Sequence, residues 1–279
     1  MENGLPNPLD RAIFLADAHL NQDDIHCRRF LEMAAQAAAG KVPMFLLGDM
    51  FDLWFGNRGL TFGYQRPIID RLRELRRGGF RLYYIEGNRD FYLKSEHEGT
   101  TFDLVSEGDL RATIGGKRVF LSHGDTVNKA DFSYRFWKGI SKSRIANRAV
   151  AHLPAWFFLP LADRVERKLK RYNLRHKESF PEAECREYAL RRFDAGADII
   201  VLGHFHQERL EPQNREPQNR EPQNRDVHEF FRSSGTEMNA PGGVLAVLPS
   251  WKEAYRYFYV TAEGAHGFRA FVPGEPLVP

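Results

Sequence analysis

Short apolar runs alternate with longer amphipathic stretches through the first two thirds of the chain. The runs have the length of buried strands, and the stretches between them repeat apolar residues at the spacing of one helical face. The predicted strands are residues 12–16, 42–47, 81–86, 119–122 and 198–202, and the predicted helices are 24–39, 66–77 and 181–195. Alternation of this kind predicts a layered α/β fold.

The last third of the chain has a different pattern. Strand-like runs are separated there by clusters of Gly, Pro and Asn, at residues 227–232, 244–248, 255–261 and 267–272. Short runs bounded by turn residues are typical of antiparallel strands. We therefore expect a second, more antiparallel sheet that closes the fold.

Residues 211–225 are a perfect triple repeat of Glu-Pro-Gln-Asn-Arg. Each unit contains an acid, a base and a proline, and it contains no apolar residue. Stacked structural repeats need an apolar face in every unit, which this segment lacks. The composition predicts a disordered loop inserted between two strands.

Residues 133–176 form an insert that is helical in pattern and rich in aromatic side chains. The insert has eleven Lys and Arg against two acids, a net charge of +9, whereas the 279-residue chain has a formal net charge of only +3. The remainder of the chain is therefore acidic. The longest apolar stretch, residues 153–162, has two prolines and falls well short of the roughly 18 residues of a membrane-spanning helix.

Two further features bear on the compartment. The amino-terminal sequence lacks the basic and apolar regions of a secretory signal. Two cysteines, Cys27 and Cys185, are too few for a disulfide framework, so we expect reduced thiols. Both features predict a cytoplasmic protein.

Five short polar blocks follow predicted strands, where ligands bind in open α/β sheets. The blocks read DAH from residue 17, GDMFD from 48, GNRD from 87, HGD from 123 and GHFH from 203. Most of these blocks taken alone have the composition of an ordinary turn. Together they offer seven oxygen or nitrogen ligands, which are Asp17, His19, Asp49, Asn88, His123, His204 and His206.

Seven ligands without a thiolate exceed the four of a structural zinc site. They suit two divalent cations that share a bridging carboxylate and each keep an open position. Mixed imidazole and carboxylate ligation favours Mn, Fe or Zn over Mg or Ca. Two such cations stabilise the attacking and leaving oxygens of an in-line displacement, and a water between them becomes a hydroxide nucleophile at neutral pH.

The ordered set of DxH, GD, GN, H and GHxH resembles the calcineurin-like metallophosphoesterases over most of the chain. The details GDMFDLWFG, GNRD and HGDT, with a basic insert before GHFH, are most similar to the UDP-2,3-diacylglucosamine diphosphatases of lipid A synthesis. The resemblance implies one domain over residues 1–279, a four-layer αββα sandwich with residues 133–176 as a helical lid. It also implies cleavage of UDP-2,3-diacylglucosamine to UMP and 2,3-diacylglucosamine 1-phosphate, with two divalent metal ions, Mn2+ being the expected metal.

The resemblance also assigns roles to residues. One metal would be held by Asp17, His19 and His206 and the other by Asn88, His123 and His204, with Asp49 bridging them. Arg89 would face the phosphates, because its planar guanidinium matches their oxygens; the alternative is a turn arginine that pairs with Asp90. The expected catalytic residues are Arg89, Asp49 and His123, and the expected substrate contacts are Asn88, Arg89, Asp131, Tyr134, Arg175 and Lys177.

The insert admits more than one interpretation. It is a pair of helices with a solvated basic face, or a lid that takes acyl chains on one side and meets phosphates or an anionic bilayer on the other. Basic residues interleaved with aromatic ones also bind single-stranded nucleic acid, so a phosphodiesterase or nuclease is the alternative function. A non-catalytic binding module would have lost ligands, and all seven are present.

The apolar cluster at residues 156–161 has no interspersed charge and favours a lipid substrate over nucleic acid. We therefore expect a cytoplasmic enzyme that associates peripherally with the inner-membrane surface and acts on a UDP-linked diacylated glucosamine.

Overall fold

The computed structural model describes residues 3–20, 25–127, 180–213 and 243–279, together with the single positions 160 and 164. Apart from those two positions, the insert 133–176 lies outside the described residues. The same holds for the predicted strand 227–232 and for most of the repeat 211–225. Four expected substrate contacts also lie outside, namely Asp131, Tyr134, Arg175 and Lys177.

The described residues form short strands and helices that follow one another along the chain. The strands are β1 (Asn3–Gly4), β2 (Ala12–Leu15), β3 (Met44–Leu46), β4 (Trp54–Phe55), β5 (Leu82–Ile85), β6 (Asp90–Phe91), β7 (Leu104–Ser106), β8 (Leu110–Ile114), β9 (Lys117–Ser122), β10 (Ile199–Leu202), β11 (Arg209–Gln213), β12 (Gly243–Val247), β13 (Arg256–Val260) and β14 (His266–Ala270). The helices are α1 (Ile25–Ala39), α2 (Gln65–Arg77), α3 (Lys94–His97), α4 (Glu182–Asp194) and α5 (Trp251–Ala254).

Two six-stranded sheets contain most of these strands. The first has the order β14-β13-β2-β3-β5-β7, and its strands β2, β3, β5 and β7 are parallel. The second has the order β1-β8-β9-β10-β12-β11, and its strands β9, β10 and β12 are parallel. A separate pair, β4 with β6, lies close in sequence to the GDMFD and GNRD blocks.

The sheets pack face to face, and the helices cover their outer faces. Phe14 and Phe45 of the first sheet point inward to a buried cluster that includes Val119 and Val201 of the second sheet. Along the same strands, Ile13, Met44 and Leu82 point outward to α1 and α2. Helix α4 covers the outer face of the second sheet. This alternation of inward and outward side chains confirms the expected αββα layering.

The strands and helices predicted within the described residues are confirmed to within two residues at each end. One expectation is wrong, because the carboxyl-terminal strands do not form a sheet of their own. Strand β12 lies parallel to β10 in the second sheet, whereas β13 and β14 extend the first. The run in β12 is apolar on both faces because it is buried between two neighbours, as parallel strands are. The first three residues of the repeat, Glu211–Gln213, belong to β11.

The described residues also include both cysteines and show the lengths of the helices. Cys27 and Cys185 are buried free thiols, and burial raises the pKa of Cys185 to about 12. Within the described ranges no helix is both long and apolar enough to cross a membrane.

The stacked rings between the sheets provide a test of the sandwich. Phe14 is fully buried, and its ring centroid lies 5.2 Å from that of Phe45 and 5.8 Å from that of Phe258. We expect Phe14→Ala to lower the free energy of unfolding by about 3–5 kcal/mol, because the ring is lost and a cavity remains. Urea denaturation measures this change.

Val272 is the control for that experiment, since its side chain is 44% exposed. We expect Val272→Ala to change the free energy of unfolding by no more than about 0.5 kcal/mol. Equal stability of Phe14→Ala and the wild-type protein would contradict a core between the two sheets.

Candidate metal centre

The loops that follow the parallel strands meet at one edge of the sandwich. Asp17 follows β2 and Asp49 follows β3, and the two loops are joined by backbone hydrogen bonds. The amide of Asp17 donates to the carbonyl of Gly48 at 3.1 Å, and the amide of His19 donates to the carbonyl of Asp49 at 3.1 Å. The amide of His204, which follows β10, donates to Asp17 Oδ2 at 2.8 Å. The two sheets thus contribute to one site.

Two glycines allow these loops to approach. Gly48 has φ of 81°, and a Cβ there would lie 2.6 Å from the Cα of Gly87. A Cβ on Gly87 would lie 2.2 Å from Asp49 Oδ1. Contacts this short exclude a side chain at either position, so the glycines of the GD and GN blocks are required by the packing of the loops.

Most of the expected ligands have an unusual backbone conformation. Five of the seven are in the left-handed region, namely Asp17 (φ 51°), His19 (φ 43°), Asp49 (φ 53°), His204 (φ 71°) and His206 (φ 57°). Non-glycine residues adopt this region infrequently, and such residues concentrate at functional sites. The strain is compensated by the cross-loop hydrogen bonds, which hold the ligand side chains toward a common centre.

One group of ligands consists of Asp17, His19 and His206. One candidate ligand atom from each lies within 4.8 Å of the other two. The distance from Asp17 Oδ1 to His206 Nε2 is 3.3 Å, and the ring centroids of His19 and His206 are 5.3 Å apart. Burial alone would raise the pKa of Asp17, but the surrounding imidazoles lower it below its ordinary value. Asp17 is therefore an ionised ligand at neutral pH.

A second group converges on Asn88. Its Oδ1 lies 2.9 Å from His123 Nε2 and 3.1 Å from His204 Nδ1. Asp49 Oδ1 is 3.8 Å from His123 Nε2, and Asp17, Asp49 and His123 form a further group within 4.8 Å. Asp17 is thus near both groups, and Asp49 lies beside the second one.

Hydrogen bonding orients His123 in the second group. The Nδ1 atom is 2.7 Å from the carbonyl of Leu47, to which it donates, so the neutral ring presents a lone pair at Nε2. Burial would lower the pKa of His123, but Asp49, Asp17 and Asp125 raise it. Burial, together with the charge of His123, lowers the pKa of His204 to about 4. His204 is therefore a neutral imidazole at pH 7, which is the form that binds metals.

These contacts fit divalent cations. His123 Nε2 and Asn88 Oδ1 are 2.9 Å apart, so with Nδ1 donating to Leu47 the two atoms share either a proton on Nε2 or a cation that both ligate. Oxygen and nitrogen ligands about 2.1 Å from a shared cation lie about 3.0–3.4 Å apart, as these donor atoms nearly do. The donor set, with imidazole, carboxylate and amide groups, also suits first-row divalent metals.

Two buried carboxylates, Asp90 and Asp52, support the ligands, and sequence reasoning did not assign them this role. Asp90 Oδ2 accepts hydrogen bonds from the amides of Asp49 at 2.9 Å and Gly87 at 2.8 Å, and from the hydroxyl of Tyr84 at 2.9 Å. It therefore joins the GD loop to the GN loop. Asp52 Oδ1 lies 3.0 Å from His19 Nδ1. The sequence does indicate that both residues lie near the site, because Asp52 belongs to the GDMFD block and Asp90 to the GNRD block.

Arg89 lies against the expected bridging carboxylate. Its amide donates to Asp49 Oδ1 at 3.0 Å, its Nε is 3.4 Å from Asp49 Oδ2, and its Nη1 donates to the carbonyl of Asp52 at 3.2 Å. The ion pair of Arg89 is therefore with Asp49. Asp90, the alternative partner, accepts hydrogen bonds at Oδ2 from two backbone amides and a tyrosine hydroxyl. The guanidinium is thus a buried cation beside the ligands, at 3% exposure for the residue.

Sequence comparisons with known proteins agree with this site. Residues 11–208 match the family described as calcineurin-like phosphoesterase. The chain is 26% identical over 197 residues to the UDP-2,3-diacylglucosamine hydrolase of Chromohalobacter salexigens, covering 70% of this chain and 79% of that protein. It is 28% identical over 199 residues to the protein of the same name from Azotobacter vinelandii, covering 71% and 81%. A solved archaeal phosphodiesterase superposes with a TM-score of 0.44 at 9% identity, covering 94% of this chain and 99% of that one.

The family match spans well over half of the chain and includes all five polar blocks and the seven ligands. Proteins of this family bind divalent metal ions, and the donor groups described above are arranged to hold them. The chain belongs to the calcineurin-like phosphoesterase family of metal-dependent hydrolases.

Proposed function

We propose that the protein hydrolyses the pyrophosphate bond of UDP-2,3-diacylglucosamine, giving UMP and 2,3-diacylglucosamine 1-phosphate, with two divalent cations, Mn2+ as the expected metal. The observation that carries the proposal is the convergence of seven ligands into two adjoining groups at one sheet edge. The substrate is supported by curated relatives named for it, which match about 70% of this chain. The same substrate places the protein in lipid A synthesis.

The ligands have separate tasks in this proposal. Asp17, His19 and His206 would hold one cation, Asn88, His123 and His204 would hold the other, and Asp49 would be shared. When bound, such a pair of cations acidifies water and neutralises charge on the reacting phosphoryl oxygens. The chain supplies no covalent nucleophile in this scheme.

Arg89 and the buried imidazoles provide the remaining chemistry. Substrate phosphates would lie against Arg89, whose guanidinium neutralises negative charge in a site of low water content. The contacts of Arg89 with Asp49 and with the carbonyl of Asp52 hold that charge in a fixed position, so little reorganisation is needed during the reaction. His204 stays neutral and keeps its lone pair for ligation, because burial lowers its pKa to about 4.

The insert 133–176 is the proposed contact with the lipid part of the substrate. Its net charge of +9 and the apolar cluster at residues 156–161 suit an anionic headgroup joined to acyl chains. Asp131, Tyr134, Arg175 and Lys177 are the proposed substrate contacts in and beside it. The proposed location is the cytoplasm, with peripheral association to the inner-membrane surface.

The shared carboxylate gives the sharpest test of the metal assignment. We expect Asp49→Asn to lower the rate of UMP release by more than about 100-fold. Removing even a residue that only supports a metal ligand lowers metal affinity or activity about 10–100-fold, and Asp49 is an expected ligand itself. The fold should remain, which circular dichroism would verify. Asp70→Asn is the matched control, since Asp70 is exposed on α2 and pairs with Arg73 at 3.0 Å.

We expect Asp70→Asn to release UMP at the wild-type rate. Near-normal turnover by Asp49→Asn in metal-replete protein would contradict a bridging role for this carboxylate.

The substrate is tested by offering two phosphodiester classes to the metal-replete protein. We expect UDP-2,3-diacylglucosamine to yield UMP and the lipid 1-phosphate, and single-stranded DNA to remain intact, with products identified by mass spectrometry. Nucleotides released from DNA, with the lipid substrate unchanged, would overturn the proposal in favour of a nuclease.

A further inference from the structure

We propose that Asp52 is a positioning residue that fixes the tautomer and ring orientation of His19, so that His19 ligates a cation through Nε2. The inference rests on the metal centre of the proposed function and deepens it. Asp52 Oδ1 lies 3.0 Å from His19 Nδ1, and both side chains are 8% exposed. The two atoms are in close contact without an aligned hydrogen bond; because a carboxylate is an acceptor only, it favours the tautomer of a neutral His19 that has its proton at Nδ1.

The chemistry of this pair is that of a carboxylate supporting a metal-ligating histidine. A histidine ligand commonly donates its second ring N–H to a carboxylate, which fixes the tautomer and raises the basicity of the ligating nitrogen. Here the proton at Nδ1 leaves a lone pair at Nε2. One nitrogen of His19 already lies within 4.8 Å of donor atoms of Asp17 and His206, so the ring belongs to the first ligand group.

The backbone holds both partners at a fixed spacing. The loop after β2 and the loop after β3 run side by side, with the amide of His19 donating to Asp49 O at 3.1 Å and that of Leu20 donating to Met50 O at 2.8 Å. These bonds set the distance between the residue that ligates and the residue that supports it. Asp52 lies three positions beyond Asp49, on the same loop.

The segment around Asp52 is itself held from two sides. Arg89 Nη1 donates to the carbonyl of Asp52 at 3.2 Å, and the amide of Trp54 donates to the carbonyl of Arg89 at 2.9 Å. The buried Gln65 donates through Nε2 to the carbonyl of Leu53 at 2.7 Å. A carboxylate on such a segment has little freedom to leave His19, which is what a positioning role requires.

The test measures metal binding with Mn2+ alone and without substrate. Asp52→Asn keeps the size of the side chain and removes its charge, and Asp52→Ala removes the contact. We expect one of the two Mn2+ ions to bind about 10–100-fold more weakly in Asp52→Ala, with a smaller loss in Asp52→Asn. Chelator competition and metal analysis of the folded protein give these affinities.

Asp103→Asn is the control, because Asp103 is an exposed carboxylate just before β7 that has its own amide and arginine partners. It accepts the amide of Leu82 at 2.9 Å and pairs with Arg76 at 3.0 Å. We expect this variant to bind Mn2+ as the wild-type protein does. Wild-type affinity in both Asp52 variants would overturn the proposal, and so would an equal loss in Asp103→Asn.

A spectroscopic readout separates positioning from mere structural support. In metal-free protein with 15N-labelled histidines, where no metal fixes the tautomer, we expect the His19 ring to show a proton on Nδ1, and this signature to be lost in Asp52→Ala. An unchanged His19 tautomer in Asp52→Ala would contradict the proposal. If the protein binds metal as expected but leaves UDP-2,3-diacylglucosamine intact, the proposed substrate fails while the role of Asp52 stands.

Discussion

The close approach of the loop after β3 to the loop after β5 is the constraint on which the site depends. Gly48 and Gly87 allow the two backbones to meet, since a Cβ on either would lie under 3.0 Å from the other loop. Asp90 then joins the loops by accepting the amides of Asp49 and Gly87. Because of this contact, Asp49, Asn88 and the buried Arg89 are neighbours, and histidines from the second sheet can reach them.

The second consequence is electrostatic. Asp17 and Asp49 are buried carboxylates, and burial of unpaired charge is costly. Imidazoles surround Asp17 and lower its pKa, while the guanidinium of Arg89 lies beside Asp49. The imidazoles that compensate the charge of Asp17 are themselves expected ligands, and the guanidinium that compensates Asp49 lies beside the ligands. Stability and metal binding are therefore coupled at this edge of the sandwich.

Much of this arrangement could be predicted from the sequence, for identifiable reasons. Buried parallel strands are apolar runs, and the polar block after each one marks the ligand-binding edge, so the ligands around Asn88 were recognisable. The placement of β12 and β13 in different sheets was not predictable, because both are short apolar runs whose partners are distant in sequence. The supporting roles of Asp52 and Asp90 were also hidden, since an acid in a turn has the same local pattern whichever group it contacts.

X-ray diffraction from crystals grown with Mn2+, recorded at the manganese absorption edge, is the most direct test of the metal centre. We expect two anomalous peaks about 3.5–4 Å apart. One should lie against His19 and His206, and the other against Asn88, His123 and His204, with Asp49 between them. A single peak, or peaks remote from these residues, would contradict a two-metal centre built from the ends of five parallel strands.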